Sequence, residues 1–84
     1  MKIKKVSKTQ LRKASENSSA VIANWLRTNR LKADLSQAQL ADLAGIDRKT
    51  VNRIENGHFS PNIDTMTRVA VVLGKKTPSI PLHI

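Results

Sequence analysis

Residues 36 to 57, SQAQLADLAGIDRKTVNRIENG, carry start and stop signals for two short helices with only three residues between them. Ser36 followed by Gln39 is a capping box: the hydroxyl accepts from a first-turn amide while the glutamine reaches back to the cap. A helix is therefore predicted to start at Gln37. Leu40, Leu43 and Ala44 fall at helical spacing, and Gly45 supplies the left-handed residue on which short helices commonly end. Asp47 restarts the chain as an N-cap, its carboxylate facing free amides and the positive end of the new helix dipole. Val51 and Ile54 form the buried stripe of this second helix, and Gly57 closes it. So short a connection makes the two helices cross at a steep angle.

With Val51 and Ile54 turned inward, Arg48, Lys49, Asn52 and Arg53 are left on the opposite side or its edges. Arginine bonds bidentately to guanine O6 and N7, and asparagine to adenine N6 and N7, each contact worth roughly 1–3 kcal/mol of discrimination. The face has the chemistry of direct base readout. The bland alternative is a solvated helix face that happens to be basic, the usual meaning of a lone charge cluster. The capped two-helix frame around it favours readout.

The stretch from Arg30 to Gly74 resembles the Cro and phage-repressor (XRE) helix-turn-helix family. The matching features are the Ser-Gln opening, Leu40-Ala41, Gly45-Ile46, Arg48, Thr50-Val51, the run Ile54-Glu55-Asn56-Gly57, Pro61 and Leu73-Gly74. The resemblance implies an all-α, four- to five-helix, lambda-repressor-like DNA-binding domain. It implies base contacts from Arg48, Lys49 and Arg53, with Asn52 as a further candidate, and phosphate contacts from Gln37, Thr50 and the backbone around Asn56. It also pairs Arg30 with Glu55, a structural contact in which the arginine fixes the first helix against the third and satisfies a costly carboxylate. Two positions depart from the family pattern. Asp34 replaces the glycine often found before the second helix, and Ala44 stands where a larger apolar residue is common.

Composition narrows the remaining classes. Eighty-four residues make one domain, with a core that is marginal unless copies associate. One Trp, one Phe and no Tyr argue against base stacking on an aromatic platform, the main mode of single-strand binders. A net charge of +9 and a pI near 10.8 point to a polyanionic partner. No apolar run approaches the roughly 20 residues that span a membrane, and no signal-peptide core follows the charged N-terminus. Cysteine is absent, so there is no disulfide framework or thiolate zinc site, which is compatible with a reducing bacterial cytoplasm. His58 and His83 fall in a loop and a tail, and the six acids are scattered. No enzyme, metal site or cofactor is expected.

The chain divides around the motif. Residues 1–18 read as a basic N-terminal arm or short helix. Ser7 with Gln10 caps a helix through Arg12 and Lys13, and the serine-rich run 15–19 breaks it. Lys4 and Lys5 are candidate phosphate contacts there, against the alternative of a solvated terminus. Residues 19–74 form the helix-turn-helix domain. Its first long helix runs from Ser19 to about Lys32, with Ile22, Ala23, Leu26 and Arg30 on one face and Trp25 and Asn29 beside them. After Gly57, Phe59 packs down and Ser60 is a further phosphate candidate. The last helix runs from Ile63, capped by Asn62, to Leu73, with Ile63, Met66, Val69, Ala70 and Leu73 buried and Gly74 ending it.

Residues 75–84 carry Ile80, Leu82 and Ile84 in alternation with Ser79, Pro81 and His83, the period of a strand with one apolar face. Its prolines confine it to an edge, and a lone strand needs a partner; the same strand of a second copy gives a two-fold dimer through Ile80, Leu82 and Ile84. A strand in this place resembles the HipB-type antitoxins of the same family. The combined expectation is a cytoplasmic homodimer, nucleoid-associated when bound to a double-stranded operator with an inverted repeat. It would act as an autoregulating repressor and antitoxin with a toxin partner; the alternative is a stand-alone phage-type or chromosomal repressor.

Overall fold

The computed structural model describes residues 3–78, which form four helices and, among the described residues, no strand. The helices are α1 (Lys8–Lys32), α2 (Gln37–Ala44), α3 (Arg48–Glu55) and α4 (Ile63–Leu73). The strand expected around Ile80, Leu82 and Ile84 lies outside the described residues.

Local rules set most of the helix starts. The Ser7 hydroxyl accepts from the Gln10 amide at 3.1 Å, and the Ser7 amide donates to Gln10 Oε1 at 2.8 Å. Ser36 and Gln39 repeat the arrangement at 3.0 and 2.8 Å, and Asn62 Oδ1 accepts from the Thr65 amide at 2.8 Å. Asp47 holds the N-cap position of α3, but its carboxylate makes no cap hydrogen bond, contrary to expectation. Its backbone carbonyl accepts instead, from the amides of Thr50 at 3.0 Å and Val51 at 3.3 Å.

The break expected at residues 15–19 is not there. α1 runs unbroken for 25 residues, about 37 Å at 1.5 Å per residue. Serine disfavours a helix interior by offering the backbone a competing bond, at a cost of only a few tenths of a kcal/mol per residue. Of the three serines in the run, two make bonds that a continuous helix allows. Ser18 Oγ donates to the carbonyl of Ala14 at 3.0 Å, one turn back, and Ser19, buried, shares a 3.3 Å hydrogen bond with Ser60 in the α3–α4 loop.

The helix ends share one device. At each, an amide two or three residues past the helix reaches back to the carbonyl five residues earlier: Leu35 to Arg30, Ile46 to Ala41, His58 to Arg53 and Lys75 to Ala70. The turn requires a left-handed residue. Three ends use Gly45, Gly57 and Gly74, but α1 ends on Asp34, at φ 58°. The unusual aspartate noted in the sequence therefore stands where a side chain costs about 1–2 kcal/mol, a penalty that aspartate tolerates better than most residues.

The core joins all four helices through Ile22, Leu26, Leu40, Ala41, Ala44, Val51, Ile54 and Val69. Trp25, Leu35, Ile46, Phe59, Met66 and Leu73 pack around it, partly buried. Two expected positions are displaced. Leu43 is 60 % exposed because it lies about 100° round α2 from the middle of the Leu40–Ala41–Ala44 face. Ile63, 86 % exposed, is the first residue of α4, where the helix has not yet reached the core.

Candidate nucleic-acid interface

α3 separates its two jobs by side. Val51 and Ile54 have no exposed surface, whereas Arg48, Lys49, Asn52 and Arg53 are exposed. The side chains of Arg48, Lys49 and Arg53 have no hydrogen-bond or ion-pair partner among the described residues. Three cations are thus held by a helix whose other face is locked in the core.

The lock is a polar network centred on Glu55. Arg30 Nε donates to Glu55 Oε2 at 2.7 Å and Arg30 Nη2 to Oε1 at 2.9 Å, while Nη1 donates to the carbonyl of Leu35 at 2.8 Å. The two side chains are 11 % and 4 % exposed. The hydrogen bond to Glu55 raises the Arg30 pKa above its ordinary value, against an opposing desolvation. One side chain from α1 therefore holds both the end of α3 and the turn leading into α2. Among the described residues, no buried side-chain nitrogen or oxygen lacks a partner.

The network continues to the surface. Gln37 Nε2 donates to Glu55 Oε1 at 3.2 Å, Asn52 Nδ2 donates to Gln37 Oε1 at 3.3 Å, and Asn56 Nδ2 donates to Asn52 Oδ1 at 3.1 Å. Arg30, Glu55, Gln37, Asn52 and Asn56 are thus brought together. Asn52 already uses one lone pair of its carbonyl and one amide hydrogen, which leaves one acceptor site and one donor for a base.

Other candidates are placed differently. The amides of Asn56, Gly57 and His58 are bonded to carbonyls at the end of α3, so the backbone there offers no free donors to a phosphate. What remains is the exposed Asn56 side chain. Thr50 is half-buried near the start of α3, and the Ser60 hydroxyl is engaged with Ser19. Lys4 and Lys5 are exposed ahead of α1 and outside this network. Arg68, not singled out in the sequence, braces the frame from α4: Nε donates to Asp64 Oδ2 at 2.9 Å and Nη1 to the carbonyl of Ala44, at the end of α2, at 3.3 Å. The four-residue spacing of Asp64 and Arg68 is visible in the sequence; the reach to α2 is not.

No group of three or more His, Cys, Asp or Glu side chains among the described residues is placed to hold a metal. No helix there is long and apolar enough to cross a membrane.

Comparison with known proteins gives consistent matches. A family model described as helix-turn-helix, HTH_3, matches residues 26–80. A protein of Haemophilus influenzae, named an uncharacterized HTH-type transcriptional regulator, is 34 % identical over 59 residues, covering 70 % of this chain and 60 % of the relative. One of the same description from Methanothermobacter thermautotrophicus is 33 % identical over 51 residues, covering 61 % and 74 %. The crystal structure of an HTH_3 family transcriptional regulator from Vibrio cholerae superimposes with a TM-score of 0.71 at 30 % identity, over 75 % of this chain and 35 % of that one. The chain thus spans under two-thirds of the Haemophilus relative and about a third of the Vibrio protein.

Proposed function

We propose, from the premise that this chain belongs to the HTH_3 helix-turn-helix family of Cro and repressor type, that it is a sequence-specific regulator binding double-stranded DNA. The observation that carries the reading is the exposed trio Arg48, Lys49 and Arg53 on a helix whose opposite face is fully buried and bolted to α1 through Glu55. A rigid basic helix loses little freedom when it enters the major groove. Its arginines offer the fork that guanine matches. Gln37, Thr50, Asn56, Ser60, Lys4 and Lys5 would contribute contacts that position the protein without reading sequence.

The test is selection of bound duplexes from a random pool, repeated with two variants. Arg53→Ala should relax preference at one base position, with a loss of roughly 1–3 kcal/mol of discrimination there. Lys5→Ala should weaken all sequences alike. If the pool yields no enriched sequence, or both variants weaken every sequence equally, the readout role is wrong.

On this reading two copies set their α3 helices into successive major grooves about 34–36 Å apart, so the enriched site is an inverted repeat. Ile80, Leu82 and Ile84 are the proposed two-fold contact; a dimer unchanged by truncation after Lys76 would dispose of it. Binding over its own promoter makes the protein an autoregulating repressor. An antitoxin role adds a protein partner, and co-purification of the product of an adjacent gene separates that from a stand-alone repressor.

A further inference from the structure

Beside the recognition helix lies a second polar surface, built by α1 and outside the helix-turn-helix motif. A shallow groove between α1 and the end of α3 is lined by Ala20, Asn24 and Arg27 on the α1 side and by Glu55, Asn56 and Gly57 on the other. Asn24 and Arg27 are exposed and bond to nothing among the described residues. The one acid in the groove, Glu55, is 4 % exposed and already neutralised by the bidentate Arg30. The groove therefore presents a cation and two side-chain amides with no competing negative charge.

The continuity of α1 extends this surface. Lys13, Ala20 and Arg27 are seven residues apart, a spacing that drifts only about 20° per step on a helix, so they lie nearly in line. Lys13 is exposed and stands about 21 Å from Arg27 along the axis. Glu16, the single acid of α1, lies on the same side, about 20° round the helix from Arg27, and is paired with the exposed Arg12 at 3.9 Å. The interruption expected at residues 15–19 would have disconnected Lys13 from the domain; the unbroken helix holds it in register with the groove.

We propose that this side of α1 is a rail for the DNA backbone, with Arg27, Asn24 and the Asn56 side chain holding one phosphate and Lys13 another. The inference rests on the reading that α3 enters the duplex, because the groove opens beside the end of that helix and shares Asn56 with it. The distance between the two cations exceeds the roughly 12 Å width of the major groove, so they meet separate phosphates and their contributions add. Neither reaches a base edge, so the rail raises affinity without altering sequence preference.

The experiment measures binding of the full chain to a mixed-sequence duplex of about two helical turns across 50–200 mM salt. Each phosphate contact contributes about 0.9 to the slope of log K against log salt, or roughly threefold in affinity over that range. Arg27→Ala and Lys13→Ala should each flatten the slope by about 0.9, the double variant by about 1.8, and Arg27→Lys should restore it. Lys32→Ala removes the same charge about 140° round α1 from Arg27 and should leave the slope as it was. These are exposed positions, and a helical circular dichroism spectrum checks the fold of each variant. Unaltered slopes for Arg27→Ala and Lys13→Ala in a protein that binds duplex overturn the rail alone, as does an equal effect from Lys32→Ala, which would mean net charge only. Capture of an acidic protein through Arg27 with the salt slope on DNA unchanged also overturns it. A wild-type chain that binds no duplex overturns the reading of α3 and the rail with it.

Discussion

Arg30 and Arg68 each cross from one helix to the end of another, and each stands beside a residue in the left-handed region. Arg30, inside the fold, holds Glu55 bidentately and bonds the carbonyl of Leu35, next to Asp34. Arg68, on the surface, holds Asp64 and the carbonyl of Ala44, next to Gly45. The side chains of the first pair are 11 % and 4 % exposed, those of the second 49 % and 73 %. The same kind of contact therefore sits at two very different stakes. A buried guanidinium that loses its carboxylate has no water to turn to, whereas an exposed one is resolvated at once. The inner brace gives the frame a unique arrangement that is costly to break; the outer one trims the end of α2 at little risk.

The largest effect should come from breaking the inner pair on one side. Glu55→Ala leaves Arg30 buried and unpaired, at a cost of about 3–5 kcal/mol. A domain of this size has a total stability of about 4–13 kcal/mol, so urea unfolding should show a variant close to collapse. Replacing both partners, Arg30→Met with Glu55→Leu, should recover much of the loss. If Glu55→Ala cost no more than Arg68→Ala, burial would not be what separates the two braces.

The residues beside the braces sharpen the contrast by moving in opposite directions. Asp34→Gly relieves a left-handed side chain and should raise stability by up to about 1 kcal/mol, net of the added flexibility of the unfolded chain. Gly45→Ala should cost about 1–2 kcal/mol, mostly from the backbone, since the new Cβ would meet only the movable tip of Arg68 at 3.0 Å. Thermal midpoints shifting the same way in both variants would contradict this account of the two turns. The smallest change is expected from Arg68→Ala, no more than about 1 kcal/mol, and it should shrink further at high salt.

What was legible in the sequence follows from how far each cause reaches along the chain. The capping boxes at Ser7 and Ser36, the Asn62 cap and the glycine ends of three helices depend on neighbours within five residues, and all are present in the fold. The face Ile22, Ala23, Leu26 and Arg30 is buried as the periodicity of α1 implies. The serine run at 15–19 misled because its cost to a helix is small, and one contact made by the continuous helix, Ser19 with Ser60, joins residues 41 positions apart. Leu43 and Ile63 fit an apolar period, but Leu43 lies outside the buried face of α2 and Ile63 precedes the stretch of α4 that reaches the core; period alone fixes neither. The site divides the same way. The basic face of α3 is visible in spacing, while the chain of amides from Gln37 to Asn56 and the groove beside Arg27 exist only once α1 and α3 are packed together.

The division of α3 into a buried and an exposed side also bears on how such a protein can change. Val51 and Ile54 carry the packing, and Arg48, Lys49 and Arg53 carry none of it. If α3 reads DNA as proposed, recognition and folding share eight consecutive residues while drawing on separate letters of the sequence, so new specificities would lie a few substitutions away without passing through an unfolded intermediate. Asn52 is the exception, tied to Gln37 and Asn56, and is the one exposed position on the helix where a change of specificity also reaches the frame.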